Sequence, residues 1–156
     1  MYKFTKDNKL LYFQFKLLHY ILVTNEDLYK WGIIDSDLCI WCEEEIETLT
    51  HIVLECEVIK RFWRDLKQWI FQKINVLIHV SNIEIIFGIT NENMSQWNKI
   101  YLYAKKILFK EKYQKNFVLV DKFKYYFSAM LKTEKELASI GNRNNEFVSV
   151  WNNFLL

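Results

Sequence analysis

The chain has 156 residues, within the range of a single domain, and with 51% apolar and 17% aromatic residues it commands a core and is no disordered tail. It contains no proline and only three glycines, which excludes the turn-rich all-β classes and leaves an all-α, multi-helix single domain over residues 1–156. The formal net charge of +2 conceals segregation: residues 31–59 carry eight acids and no Lys or Arg, whereas residues 99–124 carry eight basic residues against two acids.

In chain order, residues 8–23 read as a strongly apolar buried helix (Leu10, Leu11, Phe13, Leu17, Leu18, Ile21, Leu22), with His19 a core or interface residue. Thr24 and Asp27 have capping-box spacing and open a short helix that stops at Gly32. Residues 33–47 form an acidic turn region. Thr48 is the expected N-cap of a helix carrying His51, Val53 and Leu54. From Cys56 to about Lys73 an amphipathic helix places Val58, Phe62, Leu66, Trp69 and Ile70 on one side.

Residues 74–80, which include His79, are apolar enough for a strand but have no partner strand nearby. Ser81 and Glu84 form a second capping box, closed by Gly88. The spacing of Trp97, Ile100, Tyr101, Ala104, Ile107 and Leu108 predicts a helix over 93–115, and two more are expected over 120–140 and 145–154.

No run of about 18 uncharged apolar residues occurs, so no membrane span is expected. Lys6, Asp7, Lys9, Gln14, Lys16 and His19 interrupt the N-terminal stretch, which has neither the apolar core nor the cleavage site of a signal peptide. The cysteines therefore read as reduced thiols, and the expected location is intracellular, nuclear or cytoplasmic rather than secreted.

All three cysteines fall within 18 residues, in the order Cys39, Cys42, His51, Cys56, a C-x2-C-x8-H-x4-C spacing. A C-x-x-C turn directs two sulfurs at one ion, and Cys3His is a common ligand set for a tetrahedral structural Zn2+. Residues five apart on a regular α-helix differ by about 140° in azimuth, so His51 and Cys56 cannot both face the ion from one such helix. The helix from Thr48 is expected to end or distort near Leu54–Cys56, with the ion pinning the corner to the next helix. The zinc-binding segment is thus 35–60, a knuckle joining two helices. With all four positions filled by protein, no catalytic metal, nucleophile or phosphate loop can be argued; the expectation is a non-enzyme without a small-molecule substrate. Glu43, Glu44, Glu45, Glu47, Glu55 and Glu57 read as exposed turn carboxylates.

Two basic clusters suit phosphate neutralisation and base stacking: Lys60, Arg61, Arg64 and Lys67 with Trp63 among them, and Lys105, Lys106, Lys110 and Lys112. They make RNA or DNA the expected partner. The alternative is a zinc-stabilised protein-interaction domain whose aromatic surface docks on a polymerase or another chain.

Phe13 to His19, Thr24-Asn25, Leu28, Trp31-Gly32-Ile33, Cys39-x2-Cys42, Glu47-Thr48-x2-His51, Glu55-Cys56 and Phe62-Trp63 together resemble the zinc-binding C-terminal region of LINE-type (non-LTR) retrotransposon reverse transcriptases. Phe87-Gly88-Ile89, Ala104-Lys105, Glu134 and Trp151 are similar to the segment downstream of the motif there. The resemblance implies Cys39, Cys42, His51 and Cys56 as metal ligands, association with element RNA or target DNA, and a polymerase domain of a longer chain as a further partner. No catalytic role transfers, because the family's polymerase carboxylates sit in a Y-x-D-D-type motif that this chain lacks. The chain also has Tyr20 where the family often has a basic residue, and Val23 where it often has proline.

Overall fold

The computed structural model describes residues 7–90 and 95–155. The all-α expectation agrees with it: the described residues form helices and turns, with no β-strand and one isolated antiparallel bridge, Leu38 to Ile46. No helix among them is long and apolar enough to cross a membrane. Their contacts cluster into two compact units. The first comprises the described residues up to Arg64 with His79–Val118, the second Asp65–Ile78 with the described residues from Leu119 on. The division falls within helix α3 (Glu57–Ile74).

In the first unit, α1 (Asn8–Leu18) starts where Asp7 caps the Lys9 and Leu10 N–H groups. It ends five residues short of the expected 23. Tyr20 takes a left-handed φ of 54° and Ile21 N–H reaches back to the Lys16 carbonyl, a closure that terminates a helix. His19, expected in a core or at an interface, is exposed there and outside the core, its ring 4.3 Å from that of Phe15. The Thr24–Asp27 capping box is present and opens α2 (Asn25–Lys30), and Gly32 at φ 69° turns the chain away. The Ser81–Glu84 box likewise opens α4 (Asn82–Phe87), ahead of Gly88 at φ 98°.

Helix α5 (Ser95–Tyr113) packs on α1 and α4; the expected helix start at 93–94 lies outside the described residues. Phe13 meets Phe109 edge-on at 5.7 Å, and Leu10, Ile100 and Leu108 are fully buried around them. Burial of such side chains contributes about 1.5–3 kcal/mol each. The first turns of α3 add Ile59, Phe62 and Trp63, all buried.

The second unit contains α6 (Val120–Ile140), α7 (Asn144–Trp151) and a closing 3-10 turn (Asn152–Phe154). Its core is aromatic. Phe123 and Phe127 stack at 5.3 Å, and Trp69 packs against both, at 5.8 and 5.9 Å. Residues 76–79 are irregular rather than a strand, and Val76, Leu77 and His79 are exposed.

Candidate metal centre

The metal motif is shaped by three local features. Cys39 N–H donates to the Glu45 carbonyl (2.8 Å) and Glu47 N–H to the Asp37 carbonyl (2.8 Å), which folds residues 37–47 into a tight loop. Within it Glu43 adopts a left-handed φ of 58°, and the N–H groups of Glu44 and Glu45 turn back onto the Cys42 sulfur. The Thr48 hydroxyl accepts from His51 N–H (3.0 Å), the cap expected for this helix.

That helix then distorts as the spacing predicts. His51–Glu55 is a π-helical turn, closed by Cys56 N–H donating to the His51 carbonyl at 2.9 Å. The wider turn removes the angular mismatch of a regular helix, because an i→i+5 bond sets residue 56 over residue 51. Cys56 itself is extended (φ −55°, ψ 133°) and immediately precedes α3, whose Val58 and Ile59 N–H groups donate to its sulfur. Cys56 is thus both a candidate metal ligand and the N-cap of α3, where helix-end N–H groups favour a thiolate.

The four donor atoms all lie within 4.8 Å of one another. Zinc bonds of about 2.3 Å to sulfur and about 2.0–2.1 Å to nitrogen give tetrahedral edges of roughly 3.8 Å for S···S and 3.6 Å for S···N. The Cys39 and Cys56 sulfurs are 3.9 Å apart, and the Cys42 sulfur lies 3.4 Å from His51 Nε2. None of the three cysteines is in a disulfide. Three sulfurs and one imidazole at these spacings fit zinc, with no position left for a substrate. When bound, the ion supplies a cross-link between the loop, the π turn and the start of α3.

Burial pushes the Cys39 thiol up to about 12, against N–H groups of Cys42 and Trp41 that favour the thiolate. Burial raises Cys56 likewise. At the more open Cys42 burial also acts upward, but the Glu44 and Glu45 N–H groups and the neighbouring thiols outweigh it and leave the group below the usual thiol range. Metal must therefore displace protons from buried thiols, so affinity weakens as pH falls.

One acid of the turn departs from the exposed reading. Glu47 is fully buried, and its Oε1 accepts from Asn25 N–H (2.8 Å) while Oε2 accepts from Ile40 N–H (3.1 Å). Its ionic partner is Lys112 of α5, Nζ to Oε1 at 3.1 Å. Lys112 also donates to the Val23 carbonyl at 3.2 Å. Trp41, within the C-x-x-C turn, donates its indole N–H to the Asn116 carbonyl (2.9 Å).

These contacts correct the expected nucleic-acid residues. Lys112 is an interior group, not a phosphate contact. Trp63 is buried too, donating to the Val53 carbonyl (2.7 Å) with its ring 5.8 Å from Tyr101, so its faces cannot stack on a base. Lys105 is 2% exposed and donates to Gln14 Oε1 (2.8 Å) and to the Ile86 carbonyl (2.9 Å). Of the remaining residues, Lys60, Arg61, Arg64 and Lys110 are exposed, while Lys106 and Lys67 are half-buried. Lys67 falls in the second unit.

Burial brings the Lys105 amine down to about 7. The unfolded amine titrates near 10.4. Between those values the unfolded chain binds more protons, so Lys105 makes stability rise with pH. Lys105→Met is expected to remove a rise on the order of a few kcal/mol. The check is chemical denaturation of both zinc-loaded proteins between pH 7 and 10; parallel curves would contradict it.

Residues 1–63 match a family model described as zinc-binding in reverse transcriptase. No curated protein and no solved structure matches the chain. The matched residues end at Trp63, so they contain all four candidate ligands and Glu47 but none of α5. In this first part the chain is similar to a zinc-binding region associated with reverse transcriptases.

Proposed function

We propose that the chain is a non-catalytic, zinc-stabilised module that binds RNA or single-stranded DNA, of the kind found in the tail of LINE-type retrotransposon reverse transcriptases. The observation that carries this reading is the solvent face of α3. Lys60, Arg61 and Arg64 stand exposed there within about two turns of Cys56, so the metal centre anchors the helix that presents them. Lys60 shares its charge with Glu57 three residues before it; an exposed pair of this kind contributes little and yields readily to a phosphate. Lys110 and the half-buried Lys106 add positive charge on α5. The similarity of residues 1–63 to a reverse-transcriptase zinc region supports a nucleic-acid setting, and an intracellular location, nuclear or cytoplasmic, goes with it.

Arg61→Glu combined with Arg64→Glu is expected to weaken binding at low salt at least about tenfold and to flatten the salt dependence by roughly one to two in log–log slope. A salt series against matched RNA, single-stranded and duplex DNA reads both. Absence of binding at low salt would sink this reading.

A second reading, a protein-interaction domain docking on a polymerase or other chain, is favoured by a separate observation. Leu17, Leu18, Leu54, Ile83, Ile86 and Phe87 line an apolar groove of about 230 Å³. Ile83 and Phe87 are 71% and 61% exposed. Salt-insensitive binding to a polymerase fragment, blocked by Ile83→Asp, would select it.

A further inference from the structure

The metal motif ends at Cys56, but the groups that hold its loop do not. We propose that Glu47 is a positioning residue of the metal centre and that Lys112, 56 residues beyond the last ligand, is its charge partner, so that metal affinity is set in part by helix α5.

Glu47 binds three segments at once. Its Oε2 accepts the N–H of Ile40, the residue after Cys39, and so fixes the first peptide of the C-x-x-C turn. Its Oε1 accepts the N–H of Asn25 at the start of α2, and the Asn25 side chain donates to the Leu38 carbonyl at 2.8 Å, on the other side of Cys39. The backbone flanking Cys39 is thereby clamped before and after the ligand. Lys112 reaches the same Oε1 from α5. A carboxylate with no exposed surface stands only when its charge is met, and here an ammonium meets it. Without Lys112 that buried charge is left unmet, and turning the carboxylate toward water to relieve it releases Ile40 or Asn25.

Groups that orient ligands from outside the coordination sphere commonly alter metal affinity by about 10–100-fold. Glu47 does so through the turn's backbone, without touching the ion. Trp41 extends the same dependence, because its indole anchors the turn to the Asn116 carbonyl just beyond α5. The proposal rests on Cys39, Cys42, His51 and Cys56 being the metal site.

The test uses the full chain. Zinc affinity is measured by competition with a chromophoric chelator, and site geometry by the absorption bands of the cobalt(II)-substituted protein. Glu47→Gln is expected to weaken zinc about 10–100-fold and to shift the cobalt bands, and Lys112→Met to weaken it about tenfold. The double variant should bind no worse than Glu47→Gln alone, since the lysine has then lost its partner. Phe127→Ala, a core change in the other unit, lowers the melting temperature while leaving the cobalt bands in place. Should Glu47→Gln not fold, Lys112→Met carries the same prediction by itself. Wild-type affinity and bands in the folded variants, or single losses that simply multiply in the double, would overturn the proposal. A wild-type chain that binds neither metal would instead overturn the metal site itself.

Discussion

Stripping the metal is expected to unfold residues 35–60 and to cost about 10 kcal/mol or more, the scale of a structural zinc site. A whole domain's stability is only about 5–15 kcal/mol, so the loss is large enough to unfold the surrounding unit. The reason lies in how little regular structure that segment has. Residues 33–47 contain one isolated bridge, turn hydrogen bonds and the Glu47 and Trp41 anchors, and Cys39 and Cys56, fully buried, sit where core side chains would otherwise pack. Without the ion three thiols and an imidazole crowd together with little to attract them. Hydrogen exchange of residues 38–56 in excess chelator, with zinc added back as the control, reads the effect. Unchanged protection in protein shown to be metal-free would contradict it.

The second large effect belongs to the aromatic core of the other unit. Phe127 is 1% exposed and is ringed by Phe123, Trp69, Trp151 and Phe154 at centroid distances of 5.3 to 5.9 Å. Phe127→Ala removes the shared contact of four rings and leaves a void that rigid neighbours fill poorly. A loss of about 3–5 kcal/mol is expected, with a collapse of the near-ultraviolet signal from Trp69 and Trp151. Chemical denaturation checks it; a loss below about 1 kcal/mol would show that the rings repack.

The ligand set is legible in the sequence because its information is local. Four ligands within 18 residues declare themselves by type and spacing, and their difference in azimuth locates the break that the π turn supplies. The capping boxes at Thr24 and Ser81 are legible for the same reason: each is a contact over three residues. The features hidden from the sequence depend on contacts far along the chain. Glu47 and Lys112 pair across 65 positions, and neither stands out by type, since one has other glutamates close by in the sequence and the other has other lysines.

Lys105 and Trp63 do carry a partial signal. Ile59, Phe62, Trp63, Leu66 and Ile70 keep to the helical repeat, and all are buried; so do Tyr101, Ala104, Lys105 and Leu108. As members of their stripes, both belong inside. Charge and aromaticity alone suggest the opposite. The early end of α1 is hidden for another reason. Tyr20, not a glycine, takes the left-handed position there, and a tyrosine gives no warning of it.

The proposed role of Glu47 requires that Cys39, Cys42, His51 and Cys56 hold one zinc ion, for which their four donor atoms are grouped within 4.8 Å. Native mass spectrometry of the chain, prepared with zinc and without added chelator, tests this most directly. The predicted result is a single species carrying one zinc, lost on Cys42→Ala or Cys56→Ala and retained on Arg61→Glu. A metal-free wild-type chain, or zinc retained in both cysteine variants, would contradict it.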